Sequence, residues 1–216
     1  VLLLAAAYFF INTTSYGIEM FMPTVLKKWF ELDLRQVTTA LMIPPLGGLI
    51  GQLLVGQSSD RTHERRYHAS IPIYCGAIAL ACTLLIPQSP ANVAIGVATF
   101  TFVVFGIKGY LPAFWTLPGL FLTEAAAAGS IGFINSTGNL GGAVGPSFMG
   151  FFSSQDNSFG KPLLFLSVSM AISATIILSL KLGGKSSVSL DAATLERVAA
   201  EQREVLDETE SLIEPA

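Results

Sequence analysis

The sequence predicts an all-α membrane protein with six transmembrane helices, and three observations carry that prediction. Just over half of the residues are hydrophobic and only 12% are charged. Mean hydropathy is positive, whereas a soluble domain needs more charge to stay dispersed. The apolar residues also gather into long runs parted by short polar connections. A helix needs about 20 predominantly apolar residues to cross the hydrocarbon core. Six such runs and their connections use most of the 216 residues, leaving no room for a separate soluble catalytic domain.

In chain order the spans are expected at 1–26, 38–57, 69–87, 93–119, 129–151 and 162–182. The first residue is Val1, already inside an apolar run, so the natural beginning of the protein is expected to lie upstream. The short connections make consecutive helices antiparallel, and continuous helices are required because lipid leaves backbone polar groups no other partner. Cys75 and Cys82 share the third span, about 10 Å apart by helical rise, too far to bridge. They read as small core residues.

Charge divides the chain. Residues 1–190 hold ten Lys/Arg and seven Asp/Glu, a net +3, whereas residues 191–216 hold two Arg and eight acids, a net −6. The chain therefore reads as a transmembrane bundle over 1–185 followed by an acidic tail over 186–216. The tail has a weak helical stripe and the i,i+4 pairs Arg197–Glu201 and Arg203–Asp207. Orientation follows the basic residues. Ser58–His68 carries Arg61, Arg65 and Arg66, and Lys181 and Lys185 close the last span, so that side and the tail are assigned to the cytoplasm. Trp29 is then expected at the outer interface.

An internal repeat is visible. Leu46-Gly47-Gly48-Leu49-Ile50-Gly51 runs on to Gly56, and Leu140-Gly141-Gly142-Ala143-Val144-Gly145 runs on to Gly150. The two segments share one pattern 94 residues apart, and Pro23 and Pro118 match at 95. Spans one to three therefore repeat as spans four to six. An odd number per repeat inverts the second copy in the bilayer, a building principle of secondary transporters. The same glycines form small-xxx-small pairs that let helix backbones approach.

The loop Gly56-Gln-Ser-Ser-Asp60-Arg61-Thr-His-Glu64-Arg65-Arg66 resembles the signature cytoplasmic loop of the major facilitator superfamily. That resemblance implies a gating relay, with Asp60 facing the positive end of a helix and Arg61, Arg65 and Arg66 as its charge partners. The alternative is a basic anchor cluster alone. A second resemblance is to the anion:cation symporter family of that superfamily. It rests on Phe114-Trp115-Thr116-Leu117-Pro118, Leu122-Thr123, Ile134-Asn135-Ser136-Thr137-Gly138-Asn139-Leu140-Gly141-Gly142 and Gly145-Pro146, with Tyr16-Gly17-Ile18 and Pro23-Thr24 in the first span. It covers about residues 8–152. It implies the C-terminal six-helix half of a 12-helix fold whose N-terminal half is missing. It also implies symport of small organic anions such as sugar acids or tartrate with H+ or Na+, by alternating access in the plasma or inner membrane.

The residues suit that task. Trp115 offers a flat apolar face and one N–H donor inside a span. Asn135, Ser136 and Asn139 place polar groups deep in the membrane, where they need a partner or a water-filled cavity. Asn135 and Asn139 share a helix face. Family likeness makes Trp115 and Asn135 the first substrate contacts, with Ser136 behind them. The alternative for the Asn pair is interhelical hydrogen bonding. Asn12, Ser15 and Tyr16 add a polar stripe to the first span, equally consistent with helix contact.

Two ionisable residues lie within spans, Glu19 in the first and Lys108 in the fourth, and each costs a few kcal/mol at the bilayer centre. Lys108 would attract an anionic substrate, and Glu19 would take a coupling proton if burial raised its pKa. The alternative is that Glu19 reaches the outer interface while Lys108 snorkels or pairs with an acid of the missing half. Neither position is normally charged in that family, whose usual coupling carboxylates and substrate arginine lie in the first half. No metal, cofactor or nucleic-acid site is expected, and with both histidines assigned to the loop no enzyme is read here. The rivals are an uncoupled facilitator and a non-transporting sensor on the same fold.

Overall fold

Alternation of apolar runs with prolines and caps produces eight helices in the computed structural model, which describes residues 1–120, 124–156 and 158–180. They are α1 (Leu2–Trp29), α2 (Leu34–Ala40), α3 (Pro44–Thr62), α4 (Arg66–Cys82), α5 (Val93–Gly109), α6 (Leu111–Thr116), α7 (Glu124–Asp156) and α8 (Gly160–Ser179). Asp33 starts α2 with a capping box, its carboxylate accepting from the Gln36 N–H at 2.8 Å while the Gln36 side chain accepts from the Asp33 N–H at 2.9 Å. Proline ends that helix. Pro44 and Pro45 supply no N–H donors, so the run bends and α3 starts anew with Pro44 in its first turn.

Six long helical runs result, because α2 joins α3 across the bend and α5 joins α6 across Tyr110. Four runs are long and apolar enough to cross a membrane: Leu34–Thr62, Arg66–Leu85, Pro90–Leu120 and Gly160–Ser179. α1 and α7, at 28 and 33 residues, are as long but carry the polar residues of the candidate site. Several boundaries differ from the sequence expectation. α7 takes in residues on both sides of the 129–151 window, because residues 124–128 and 152–156 contain no Gly or Pro. The third span turns 3-10 after Cys82.

α1 packs against α7 and α8, α3 against α5, and α4 against α5 and α8. Glycines set how close these pairs come. A Cβ on Gly51 would lie 2.8 Å from the Phe105 carbonyl oxygen and 3.3 Å from the Gly109 Cα. One on Gly145 would collide with the Thr13 carbonyl and lie 3.2 Å from the Gly17 nitrogen. Hydroxyls lock α8 between its neighbours. Ser173 donates to the Ala7 carbonyl at 2.7 Å, Ser169 to Phe10 at 2.8 Å and Ser167 to Ala77 at 2.8 Å, while Thr14 donates to Leu166 at 2.8 Å. In an apolar solvent such hydrogen bonds take over part of the role that burial plays in water.

The core includes the fully buried rings of Phe30, Phe100, Tyr110, Phe114 and Phe159. Trp29, at the end of α1, is buried among the helices and 4% exposed. Cys75 and Cys82 are free thiols, half-buried and exposed respectively. Lys181, Lys185 and the acidic tail 186–216 lie outside the described residues.

Candidate functional site

On α1, Tyr8, Asn12, Tyr16 and Glu19 follow each other at helical spacing and share one face. This face meets α7. The Asn12 amide donates to the Asn139 side-chain oxygen at 3.4 Å, and the Asn139 amide donates to Asn135 at 3.5 Å. The three amides thus form a chain running from buried Asn12 to exposed Asn139 and Asn135. Ser136 is exposed beside Asn135. Glycine makes the approach possible, since a Cβ on Gly138 would collide with the Tyr8 ring and one on Gly142 would lie 2.9 Å from the Tyr16 ring.

Trp115 joins the same face through aromatic contact. Its ring meets Tyr8 edge-on at 5.0 Å and Phe114 edge-on at 5.3 Å, while Tyr8 stacks on Phe114 at 5.4 Å. Tyr8 escaped the sequence reading. Its position four residues before Asn12 and eight before Tyr16 is the signal that would have found it.

Lys108 and Glu19, read separately from the sequence, are one ion pair. The Lys108 Nζ donates to Glu19 Oε1 at 2.5 Å across α5 and α1. Lys108 thus has an acidic partner within this chain, on α1. The Lys108 stem crosses α3 at Gly48, where an added Cβ would lie 3.0 Å from the Lys108 Cγ. Beside the pair is a cleft of about 510 Å³ walled by Pro44, Gly48, Gln52 and Val104 among others.

At one end of the bundle the arginine loop is tightly ordered. Arg65 pairs with Asp60 at 2.5 Å and donates to the Ser59 hydroxyl at 3.0 Å, and Ser59 donates to the Glu64 carbonyl at 2.8 Å. Arg66 donates to the Leu180 carbonyl just beyond α8 at 3.1 Å, so the loop and the end of α8 share one side. Arg61 is exposed. Glu64, given no part by the sequence reading, accepts from the Tyr67 N–H at 2.8 Å and the His68 N–H at 3.3 Å, the position where a helix N-terminus favours an anion. His68 lies in the first turn of α4 rather than in the loop, within reach of Glu64 at 3.2 Å and the Ser58 hydroxyl at 2.9 Å.

A bundle of long apolar helices with polar side chains exposed in mid-helix has the make-up of a multi-pass membrane protein whose polar groups face a partner or a water-filled cavity, for lipid does not accept such groups. The sequence comparisons agree. The chain belongs to the Major Facilitator Superfamily, which it matches over residues 1–146. It is 36% identical over 170 residues to a quinolone resistance transporter of Acinetobacter baumannii, covering 79% of this chain and 38% of that protein. It is 33% identical over 180 residues to a provisionally named tartrate transporter of Agrobacterium vitis, covering 83% of this chain and 40% of the relative. Likeness to the inner membrane transport protein RhmT of Escherichia coli is 31% over 181 residues, or 82% of this chain and 41% of that one. The chain thus spans about two fifths of the length of these relatives, which are transporters by name and not enzymes. No solved structure matches it.

Proposed function

We propose that this chain forms the C-terminal six-helix half of a secondary transporter for small organic anions, coupled to H+ or Na+ and working by alternating access. The observation that carries the reading is the exposed polar face assembled from three runs, with the Asn12–Asn139–Asn135 chain at its centre. Tyr16 and Trp115 flank it, and Lys108 supplies the positive charge. In a bilayer this face must meet water, substrate or a second bundle. A relative named for tartrate supports a carboxylate cargo. Another relative is named for quinolone resistance, so cargo other than sugar acids belongs in the same test.

The packing supports the inverted repeat. Exchanging α1 with α5, α3 with α7 and α4 with α8 turns the α1–α7 contact into α5–α3 and the α1–α8 contact into α5–α4. Gly47 and Gly51 sit on Thr101 and Phe105, with Gly109 beyond, as Gly141 and Gly145 sit on Phe9 and Thr13, with Gly17 beyond. The offset is 94 residues for α3 and α7 but 92 for α1 and α5. The 95 relating Pro23 to Pro118 reflects the break at Tyr110, which falls between the two landmarks. The shared end of the arginine loop and α8 supports placing the C-terminus in the cytoplasm with the basic cluster. There Asp60, Arg61, Arg65 and Arg66 act as the gating loop, opening and closing with the conformational cycle.

Reconstitution tests this reading. The full-length protein in vesicles with an inward proton or sodium gradient is expected to accumulate labelled tartrate or a sugar acid. Asn135→Ala and Trp115→Ala should each reduce uptake at least about tenfold with the fold intact, a loss of about 1.4 kcal/mol of binding. Gradient-independent uptake would point to a facilitator. Absence of any organic-anion movement would remove the proposal, and unchanged variants would return both residues to packing.

A further inference from the structure

We infer that Lys108 and Glu19 form an exchangeable ion pair, in which a substrate carboxylate takes the ammonium and the released Glu19 carboxylate takes the coupling proton. This deepens the proposed anion transport and rests on it. The first ground is placement. Both residues lie within long helical runs, are partly exposed, with side chains 36% and 48% accessible, and border one cleft. Such a site is reachable by a ligand.

The second ground is the repeat. Lys108 lies over Gly48 as Tyr16 lies over Gly142, and the two glycines are counterparts 94 residues apart. Lys108 therefore occupies on α5 the position that Tyr16 holds on α1, on the face that carries the amide chain. Glu19 follows Tyr16 by three residues and extends that stripe toward Lys108. The ammonium has three donors, and one is engaged by Glu19. The Gln52 amide borders the same cleft and offers donors to a carboxylate's second oxygen. The last turn of α5 also favours a cation.

The third ground is charge balance. The pair alone is neutral. Adding one carboxylate leaves the site at −1 in a cleft between helices, where a net charge is less well solvated than in bulk water. A proton on Glu19 restores neutrality, so anion and proton bind together and each raises the affinity for the other. The bookkeeping closes: the Lys108–Glu19 contact breaks, a Lys108–carboxylate contact forms, and one proton moves from water to a Glu19 oxygen. No other titratable group borders the cleft among the described residues. Among the described side chains, the other Asp, Glu, Lys, Arg and His groups of the neighbouring helices fall toward helix ends: Lys27 and Lys28 on α1, Arg35 on α2, Asp60 and Arg61 on α3, Arg66 and His68 on α4, and Lys161 on α8.

The test uses the purified full-length protein and titrates a sugar acid that carries a single carboxylate by calorimetry in buffers of different ionisation heat. The wild type is expected to take up close to one proton per carboxylate bound, and its affinity to fall as pH rises, by up to about tenfold per pH unit. Glu19→Gln should bind with no proton uptake and lose gradient-driven accumulation. Because a lone charge threatens folding, Glu19→Gln/Lys108→Gln is the second variant. It is expected to fold, to bind at least tenfold more weakly and to show no proton linkage. Binding by the wild type without proton uptake, or a double variant with wild-type affinity and gradient dependence, would overturn the exchange while leaving anion transport standing. A wild type that neither binds nor moves any carboxylate would overturn both.

Discussion

At the scale of single residues, the distinction that matters is between glycines that touch a neighbour's backbone and glycines that do not. Gly145 lies directly on the Thr13 carbonyl, so a methyl group there forces α1 and α7 apart along their whole contact. A Cβ on Gly150 would reach Phe21 at 3.6 Å, an ordinary van der Waals distance. Gly145→Ala should therefore destabilise by about 3 kcal/mol, the upper range for overpacking, while Gly150→Ala should be neutral or slightly stabilising. Thermal unfolding in detergent reads both, and equal effects would contradict the close approach. Sequence alone singled out both glycines by one repeated pattern and could not rank them, because the pattern records spacing and not which backbone lies opposite. The same limit explains Glu19 and Lys108. Each was visible as an intramembrane charge, but 89 residues separate them and nothing in linear order reveals a partner at that distance.

Among the elements, α8 shows how an apolar helix is positioned when burial against lipid gains little. Its apolar faces would serve any neighbour, but Ser167 commits one side to α4 while Ser169 and Ser173 commit the other to α1. Each such bond is worth about 0.6 kcal/mol in a membrane setting. Ser167→Ala, Ser169→Ala and Ser173→Ala combined should cost roughly 2 kcal/mol and lower the unfolding temperature more than any single change. A triple variant as stable as the wild type would mean that shape alone seats the helix. The existence of the long helices was legible because apolar runs of about 20 residues leave few alternatives. Span ends were less so. The bend ahead of Pro44 follows from proline chemistry readable in the sequence. The reach of α7 beyond 129–151 does not, since Gly129 reads as a boundary in the sequence although the alanines before it are strong helix formers.

Over the whole molecule, some exposed surfaces meet water and others meet lipid. Exposure by itself does not separate them. Leu53 and Leu164 are exposed and so are Tyr16 and Asn135, yet the first pair is apolar and the second belongs to the face carrying the amide chain. Leucine on a helix surface is content in hydrocarbon, whereas an unpartnered amide there costs free energy. The bundle should therefore have two kinds of outside: a lipid face, and a polar wall that closes against water or a second bundle. Single cysteines distinguish them once Cys75 and Cys82 are replaced by serine. Only the ionised thiolate reacts with a maleimide, and ionisation requires water. Tyr16→Cys and Asn135→Cys should label with a membrane-impermeant maleimide about tenfold faster or more than Leu53→Cys and Leu164→Cys. Saturating tartrate or sugar acid should slow labelling at the first two and leave the others unchanged. Comparable rates at all four positions would mean that the polar wall is not solvated, and the transport reading would lose the surface on which it rests.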